Sequence, residues 1–404
     1  MKKPVSIFGF LMIYIGLIVL YHLSINLIFY FEFTSLSASI LHSIARVSLV
    51  GIGGNSHSSS LFFILFSLVI TQLSGLLWLT TLLWIYWKLL DKGKKKSTKD
   101  ALLLTIKVSL ICEAGLLIFF LYSVPIELVE HSFQQKILVA LNLSITSFNN
   151  AGLSDISQLM LQDSIQSSFI LQLGIIGGST LGNLGIFVID ELFAPRNLRK
   201  RLANTETDWS LITKISIFVF AAVLFISSGL FFFYEQNNAL ESKNLIESII
   251  TSVYEVSTSR GFGYSITNDV NQLSELILLL TRMVAAGPFS TGGGLTLITI
   301  LWVYSFLYKR EASNELIQVN HIAKNLIVYS IIAFGIFTSM RYATDESAKY
   351  PGILYDQWML FSTNTYNSNQ ESSWLVDMAK GLTIISGRLG FVVACYLTLR
   401  KKEN

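Results

Sequence analysis

Residues 145–153 read Ile-Thr-Ser-Phe-Asn-Asn-Ala-Gly-Leu, a run of hydroxyl and amide side chains closing on a glycine between two long hydrophobic segments. Peptide groups without hydrogen-bond partners are strongly penalised in hydrocarbon, so such a stretch persists at membrane depth only where it lines a cavity or carries an ion. Its suitable chemistry is ion coordination by oxygen. Comparable polar stretches occur at Ser48-Leu49-Val50-Gly51, Ser259-Arg260-Gly261-Phe262-Gly263 and Asn364-Thr365-Tyr366-Asn367. Each of the four follows a helix-compatible, partly apolar segment, generally too short to cross a bilayer: residues 37–47, 132–147, 240–258 and 354–363. One such unit alone would read as a surface helix and loop. Four in register point to a pore.

The elements that must position these stretches are membrane spans. The chain is 52% hydrophobic and only 14% charged, unlike an ordinary soluble domain. Apolar runs fall at about 8–30, 60–88, 103–123, 166–192, 211–234, 273–306, 325–341 and 376–398, most reaching the ~20 residues that a transmembrane helix needs. The run at 273–306 is too long for one straight span. Gly287-Pro288 and Gly292-Gly293-Gly294 interrupt it, which predicts a broken helix of the kind that lines a conduction path. Lys2-Lys3 precede an apolar run without a small-residue cleavage site, so this run reads as a retained first span.

Basic residues orient the spans. Lysines 88, 92, 94, 95, 96 and 99 follow the second run, Arg196, Arg199, Lys200 and Arg201 the fourth, Lys309 and Arg310 the sixth, and Arg400, Lys401 and Lys402 the eighth. Eight spans with both termini and these loops in the cytoplasm satisfy the positive-inside rule. The net charge of +3 then reflects this asymmetry and gives no sign of nucleic-acid binding. Cys112 and Cys395 fall within expected spans, which argues against a disulfide or metal site. Enzyme readings find little support. The glycine-rich run lacks the Gly-Lys-Ser/Thr ending of a phosphate loop, no His-Glu-x-x-His is present, and Tyr355-Asp356 has no Gly-x-Gly-Asp partner. The five histidines show no ligand spacing.

At several points the residues resemble the Trk/Ktr/HKT superfamily of potassium transporters. Residues 145–153 resemble the family's second pore loop, and the run from Ser252 to Tyr264 its third. Gly287-Pro-Phe-Ser-Thr-Gly-Gly-Gly294 is similar to the family's hinge loop in the third inner helix, and Gly387-Arg388-Leu389-Gly390 to a Gly-Arg-Val-Gly in the last inner helix. Gln72-Leu-Ser-Gly75, Glu113-Ala-Gly115 and Gly177-Gly178 are weaker echoes, and the first and fourth loops are poor matches.

The resemblance implies an all-α membrane protein in which eight helices form four pseudo-symmetric helix–pore loop–helix repeats, at residues 1–100, 101–203, 204–318 and 319–404. The filter residues would be Val50, Gly51, Ala151, Gly152, Phe262, Gly263, Asn364 and Thr365. The gate would be Gly287, Pro288, Ser290, Thr291, Gly292, Gly293 and Arg388. Potassium sheds its water only if backbone carbonyls replace it, and glycine is the inexpensive residue at the positive φ that turns carbonyls inward. Thr365 stands where a fourth glycine is expected. The alternatives are a three-sided potassium filter, admission of sodium, or a blocked loop. Thr296 stands where the family often has lysine.

Arg388 lies deep in an apolar span, where a charge costs about 2.5–3.5 kcal/mol and normally faces a cavity or partner. A snorkelling arginine is the alternative. Arg282 reads equally well as functional or structural. Glu113 is expected to pair with a basic group near the inner mouth, either as part of the conduction machinery or as a conventional buried ion pair. The expected cargo is potassium, with sodium as an alternative, and no cofactor. The expected setting is the plasma membrane, as a homodimer regulated by a cytoplasmic nucleotide-binding ring touching the basic loops. The runner-up is a non-conducting relative that kept the fold as a regulatory or assembly partner.

Overall fold

The computed structural model describes residues 7–27, 35–53, 61–90, 97–125, 132–152, 168–203, 209–259, 265–267, 270–284, 286–287, 289–292, 295–296, 298–300, 314–345, 350–362, 366–367 and 373–403. Of the expected site residues, Phe262, Gly263, Pro288, Gly293, Asn364 and Thr365 lie outside this set.

Long apolar runs become long helices because a helix satisfies its own backbone in lipid. They are α1 (Ile7–Leu27), α3 (Leu61–Leu90), α4 (Thr98–Ser123), α9 (Leu211–Glu235), α12 (Asn314–Thr344) and α14 (Trp374–Glu403). Between them lie four shorter helices, α2 (Leu36–Val47), α5 (Phe133–Asn149), α10 (Leu245–Thr258) and α13 (Tyr350–Phe361). Helix starts carry polar caps. Ser97 with Asp100 and Asn244 with Glu247 form reciprocal capping boxes at α4 and α10, and the Ser35 and Ser210 side chains accept from Ala38 and Thr213 amides at α2 and α9.

The apolar run at 166–192 departs from the expected single span. It forms α6 (Phe169–Leu184) and α7 (Ile186–Phe193), bent by 102° at Gly185, before the basic α8 (Pro195–Leu202). Gly185 takes φ 82°, and a β-carbon there would sit 2.7 Å from the Phe289 carbonyl oxygen. Only glycine combines that backbone angle with that approach. The run at 273–306 begins as α11 (Gln272–Val284) and then breaks. Among the described residues, six helices are long and apolar enough to cross a membrane, or seven if the bent pair α6–α7 counts as one.

Packing shows how the elements close into a ring. Each short helix lies against spans of its own unit and the inner helix of the unit before it. Thus α5 packs on α4, α6 and the preceding α3, and α10 packs on α9, α11 and the preceding α6. Helix α13 packs on α12 and α14, and the preceding α11 reaches it through Arg282, whose Nη1 donates to Tyr355 Oη (3.2 Å) and Met359 Sδ (3.0 Å). The circle closes where α2 packs on α1, α3 and the final helix α14. A two-residue parallel pair between β1 (Ile52–Gly53) and β2 (Tyr366–Asn367) joins the first and last loops. The most enclosed span is α14 and the most exposed is α9, whose Phe218, Phe225 and Phe233 form an apolar outer face.

Candidate ion-conduction site

The first two loops leave their helices by the same turn. After α2, the Leu49 amide donates to the Arg46 carbonyl (3.1 Å) and the Val50 amide to Ala45 (2.8 Å). After α5, the Asn150 amide donates to Ser147 (3.3 Å) and Ala151 to Thr146 (2.9 Å). These are paired Schellman caps with the left-handed residue at Leu49 (φ 63°) and Asn150 (φ 50°). The residue that first redirects each chain thus lies two positions ahead of Gly51 and Gly152, where the sequence reading looked for it. An asparagine following a helix is a recognisable signal for this turn. Leucine gives none. Val50, Gly51, Ala151 and Gly152 are all buried. The strand pair matches Ile52 with Tyr366 and Gly53 with Asn367, residues that directly follow Gly51 and Thr365 in the chain.

The second loop is held from three sides. Asn149 Nδ2 lies within hydrogen-bond distance of Gln72 Oε1 (3.0 Å), Glu113 Oε1 (3.3 Å) and the Ile145 carbonyl (2.9 Å). Gln72 Nε2 donates to Glu113 Oε2 at 2.9 Å. Glu113 therefore binds two amides behind the second loop, in place of the basic group near the inner mouth that the sequence suggested. Asn150 Oδ1 accepts from Ser179 Oγ (2.8 Å) and Asn183 Nδ2 (3.1 Å), while its Nδ2 donates to Thr291 Oγ1 (3.0 Å).

That last bond leads into the break after α11. Ala286 and Thr296 form a parallel bridge, so the residues between them make a closed excursion from the helix. The Gly287 amide donates to the Asn183 carbonyl at 3.0 Å, and a β-carbon on Gly287 would lie 2.1 Å from that oxygen. Phe289, buried at φ 63°, sets its ring between Tyr86 (5.2 Å) and Phe391 (5.1 Å). Among the described residues, the only non-glycine left-handed positions are Leu49, Asn150 and Phe289. Such conformations persist where the surroundings over-determine them and concentrate at functional sites.

Arg388 completes the arrangement. Its Nη1 donates to the Thr291 carbonyl, and its guanidinium lies 4.7 Å from the centre of the Trp78 ring. Among the described residues its Nε and Nη2 have no hydrogen-bond partner, though the side chain is 4% exposed. Thr291 is the node: its carbonyl meets the last helix, and its hydroxyl meets the second loop and lies 3.4 Å from the Gly182 carbonyl. Arg388, Gly287, Phe289, Gly387, Trp78 and Phe391 all border one cavity. Ser290 and Thr291 are buried, Gly292 half-buried, and Thr296 sits at the neck of the excursion. Asp356 is ion-paired with Arg341 at 2.8 Å, and both cysteines are free.

No protein-family model matches the chain. It is 23% identical over 321 residues to the Ktr system potassium uptake protein B of Vibrio alginolyticus, covering 74% of this chain and 66% of that protein. It is 22% identical over 286 residues to the Ktr system potassium uptake protein D of Bacillus subtilis (strain 168), covering 67% and 62%. The matches thus span somewhat under two thirds of the length of these curated relatives. The structure superposes on the potassium transporter TrkH from Vibrio parahaemolyticus with TM-score 0.73 at 13% identity, covering 100% of this chain and 86% of TrkH. In fold this chain is similar to TrkH, and in sequence to the Ktr system potassium uptake proteins B and D, which are membrane-transport proteins by name.

Proposed function

We propose that this chain is the membrane subunit of a potassium uptake system, passing the ion inward through the axis of its four repeats, divided near residues 100, 203 and 318. The observation that carries this reading is the closed ring of short helices, each followed by a loop, with the 286–296 excursion latched by Arg388. Backbone around Val50-Gly51, Ala151-Gly152, Phe262-Gly263 and Asn364-Thr365 would replace the ion's water. The excursion and the buried positive charge of Arg388 would form the barrier, because an uncompensated cation at low dielectric repels another. The membrane potential supplies about 2.3 kcal/mol per charge per 100 mV. The relatives' potassium uptake role supports the cargo. The superfamily resemblance supports a plasma-membrane homodimer, both termini in the cytoplasm, gated by a nucleotide-binding ring at the basic loops.

Complementation of a potassium-uptake-deficient bacterium, with and without sodium, tests the reading. Growth at low potassium without sodium is the expected result. Growth only with sodium would indicate a sodium-dependent carrier. Expression in the membrane without growth in either condition would favour the regulatory relative.

A further inference from the structure

Glu255 lies in the third short helix, 2% exposed. One of its carboxylate oxygens, Oε1, collects the Ile266 amide (2.7 Å), the Thr267 amide (3.0 Å), the Thr267 hydroxyl (3.1 Å) and the Ser265 hydroxyl (3.2 Å). Two successive amides and two hydroxyls aimed at one point make an anion-holding turn. A carboxylate is taken out of water here to hold a piece of backbone, and hydrogen bonds to an ionised acceptor are the strong kind. The backbone held is the chain returning from the third loop: residues 265–267 directly follow the Gly261-Phe262-Gly263-Tyr264 stretch.

Among the described residues, the other repeats show no such device. At the same distance ahead of Gly51, Gly152 and Thr365 stand Ser43, Ser144 and Gln357. Ser43 and Ser144 hydroxyls donate to carbonyls of their own helices, at Ser39 (2.8 Å) and Leu141 (2.9 Å). Gln357 exchanges bonds with Thr383 on α14. The second loop is fastened by Asn149 and Asn150, and the first by the Tyr14 hydroxyl 2.5 Å from Ser48 Oγ. The third loop's described fastening from its own helix is Glu255.

We propose that Glu255 is a positioning residue for cation selection, clamping the return limb of the third loop and thereby holding that quarter of the filter in place. This rests on the transport reading above. The test uses full-length protein reconstituted in liposomes, with potassium and sodium flux and amide hydrogen exchange over residues 265–267 measured on one preparation. Glu255→Ala should raise exchange there by about tenfold or more and lower the potassium-to-sodium flux ratio. Glu255→Gln, which keeps an acceptor oxygen, should restore part of both. Thr267→Val, which removes one donor, should produce a smaller shift and covers the case where Glu255→Ala does not fold. Glu235→Gln, altering a buried carboxylate that holds Asn271 and Asn238 instead, should leave the ratio unchanged.

Unchanged exchange in the Glu255 variants would overturn the clamp. Freed amides with an unchanged ratio would overturn its role in selection. If wild type carries no cation, the transport reading fails by itself. The exchange arm then still decides the clamp, supporting it if Glu255→Ala frees residues 265–267 and overturning it if not.

Discussion

Thr291 has two bonds that a continuous helix could not offer together: its carbonyl to Arg388 and its hydroxyl to Asn150. Arg388→Gln keeps much of the side-chain length but removes the charge and the fork of donors. Losing a charge-assisted bond is worth about 1.5–3 kcal/mol, so potassium flux in liposomes should rise roughly tenfold or more. Flux at the wild-type level would show that Arg388 is no barrier. Asn150→Gly keeps the left-handed turn while deleting the amide's partners. It should destabilise the solubilised protein by about 1–3 kcal/mol, seen as a lower thermal midpoint, because Asn183 and Ser179 lose a buried acceptor. Thr365→Gly should raise potassium preference over sodium if position 365 takes the place that the sequence reading assigns to a fourth filter glycine, because glycine adopts inward-turning backbone at no steric cost. An unchanged preference would mean that this position does not shape the filter. At this scale Arg388 was legible, because a charge deep in an apolar span demands a partner. The identity of that partner was not, since residues 291 and 388 meet only through folding.

Helices here approach one another closely at chosen glycines. A β-carbon on Gly182 would lie 1.9 Å from the Phe148 carbonyl, and one on Gly387 would lie 1.9 Å from that of Phe361. The inner helices α6 and α14 thus press against the last turn of their own short helices. Gly177, on the same helix as Gly182, has nothing within 4 Å. Gly182→Ala and Gly387→Ala should therefore destabilise by about 1–3 kcal/mol or prevent folding. Gly177→Ala should be neutral or stabilise by up to about 1 kcal/mol through helix propensity. Thermal unfolding of the three variants checks the contrast, and equal effects would refute it. Shortening the break by deleting Phe289 to Thr291 should raise flux if the excursion is a barrier. The break after α11 was legible from Gly287-Pro288. The bend at Gly185 was not, because a lone glycine in an apolar run looks like any other until the Phe289 carbonyl is brought beside it.

For the whole molecule, contact between α2 and α14 turns a linear series of helices into a ring. The sidedness expected of the loops comes from the basic residues. With Cys112 and Cys395 replaced by serine, a single cysteine at the exposed Arg199 should react with a membrane-impermeant maleimide only from the cytoplasmic side. One at the exposed Glu241 should react only from the outside. Labelling of both from one side would overturn the orientation drawn from the basic loops.

The amino-acid sequence by itself determined that the chain lies in a membrane, that short helices alternate with long ones, and that the third unit's inner helix breaks. These follow from local properties: the length of apolar runs, where lysine and arginine fall, and glycine beside proline. Tertiary structure alone decided which residues hold the loops. The Gln72–Glu113–Asn149 cluster, the Glu255 clamp and the Arg388–Thr291 latch all join groups that meet only when other segments arrive. A buried carboxylate or amide in a membrane helix shows that a partner is required, since desolvation forbids leaving it alone. Its choice among many hydroxyls, amides and carbonyls is settled by the closure of the ring.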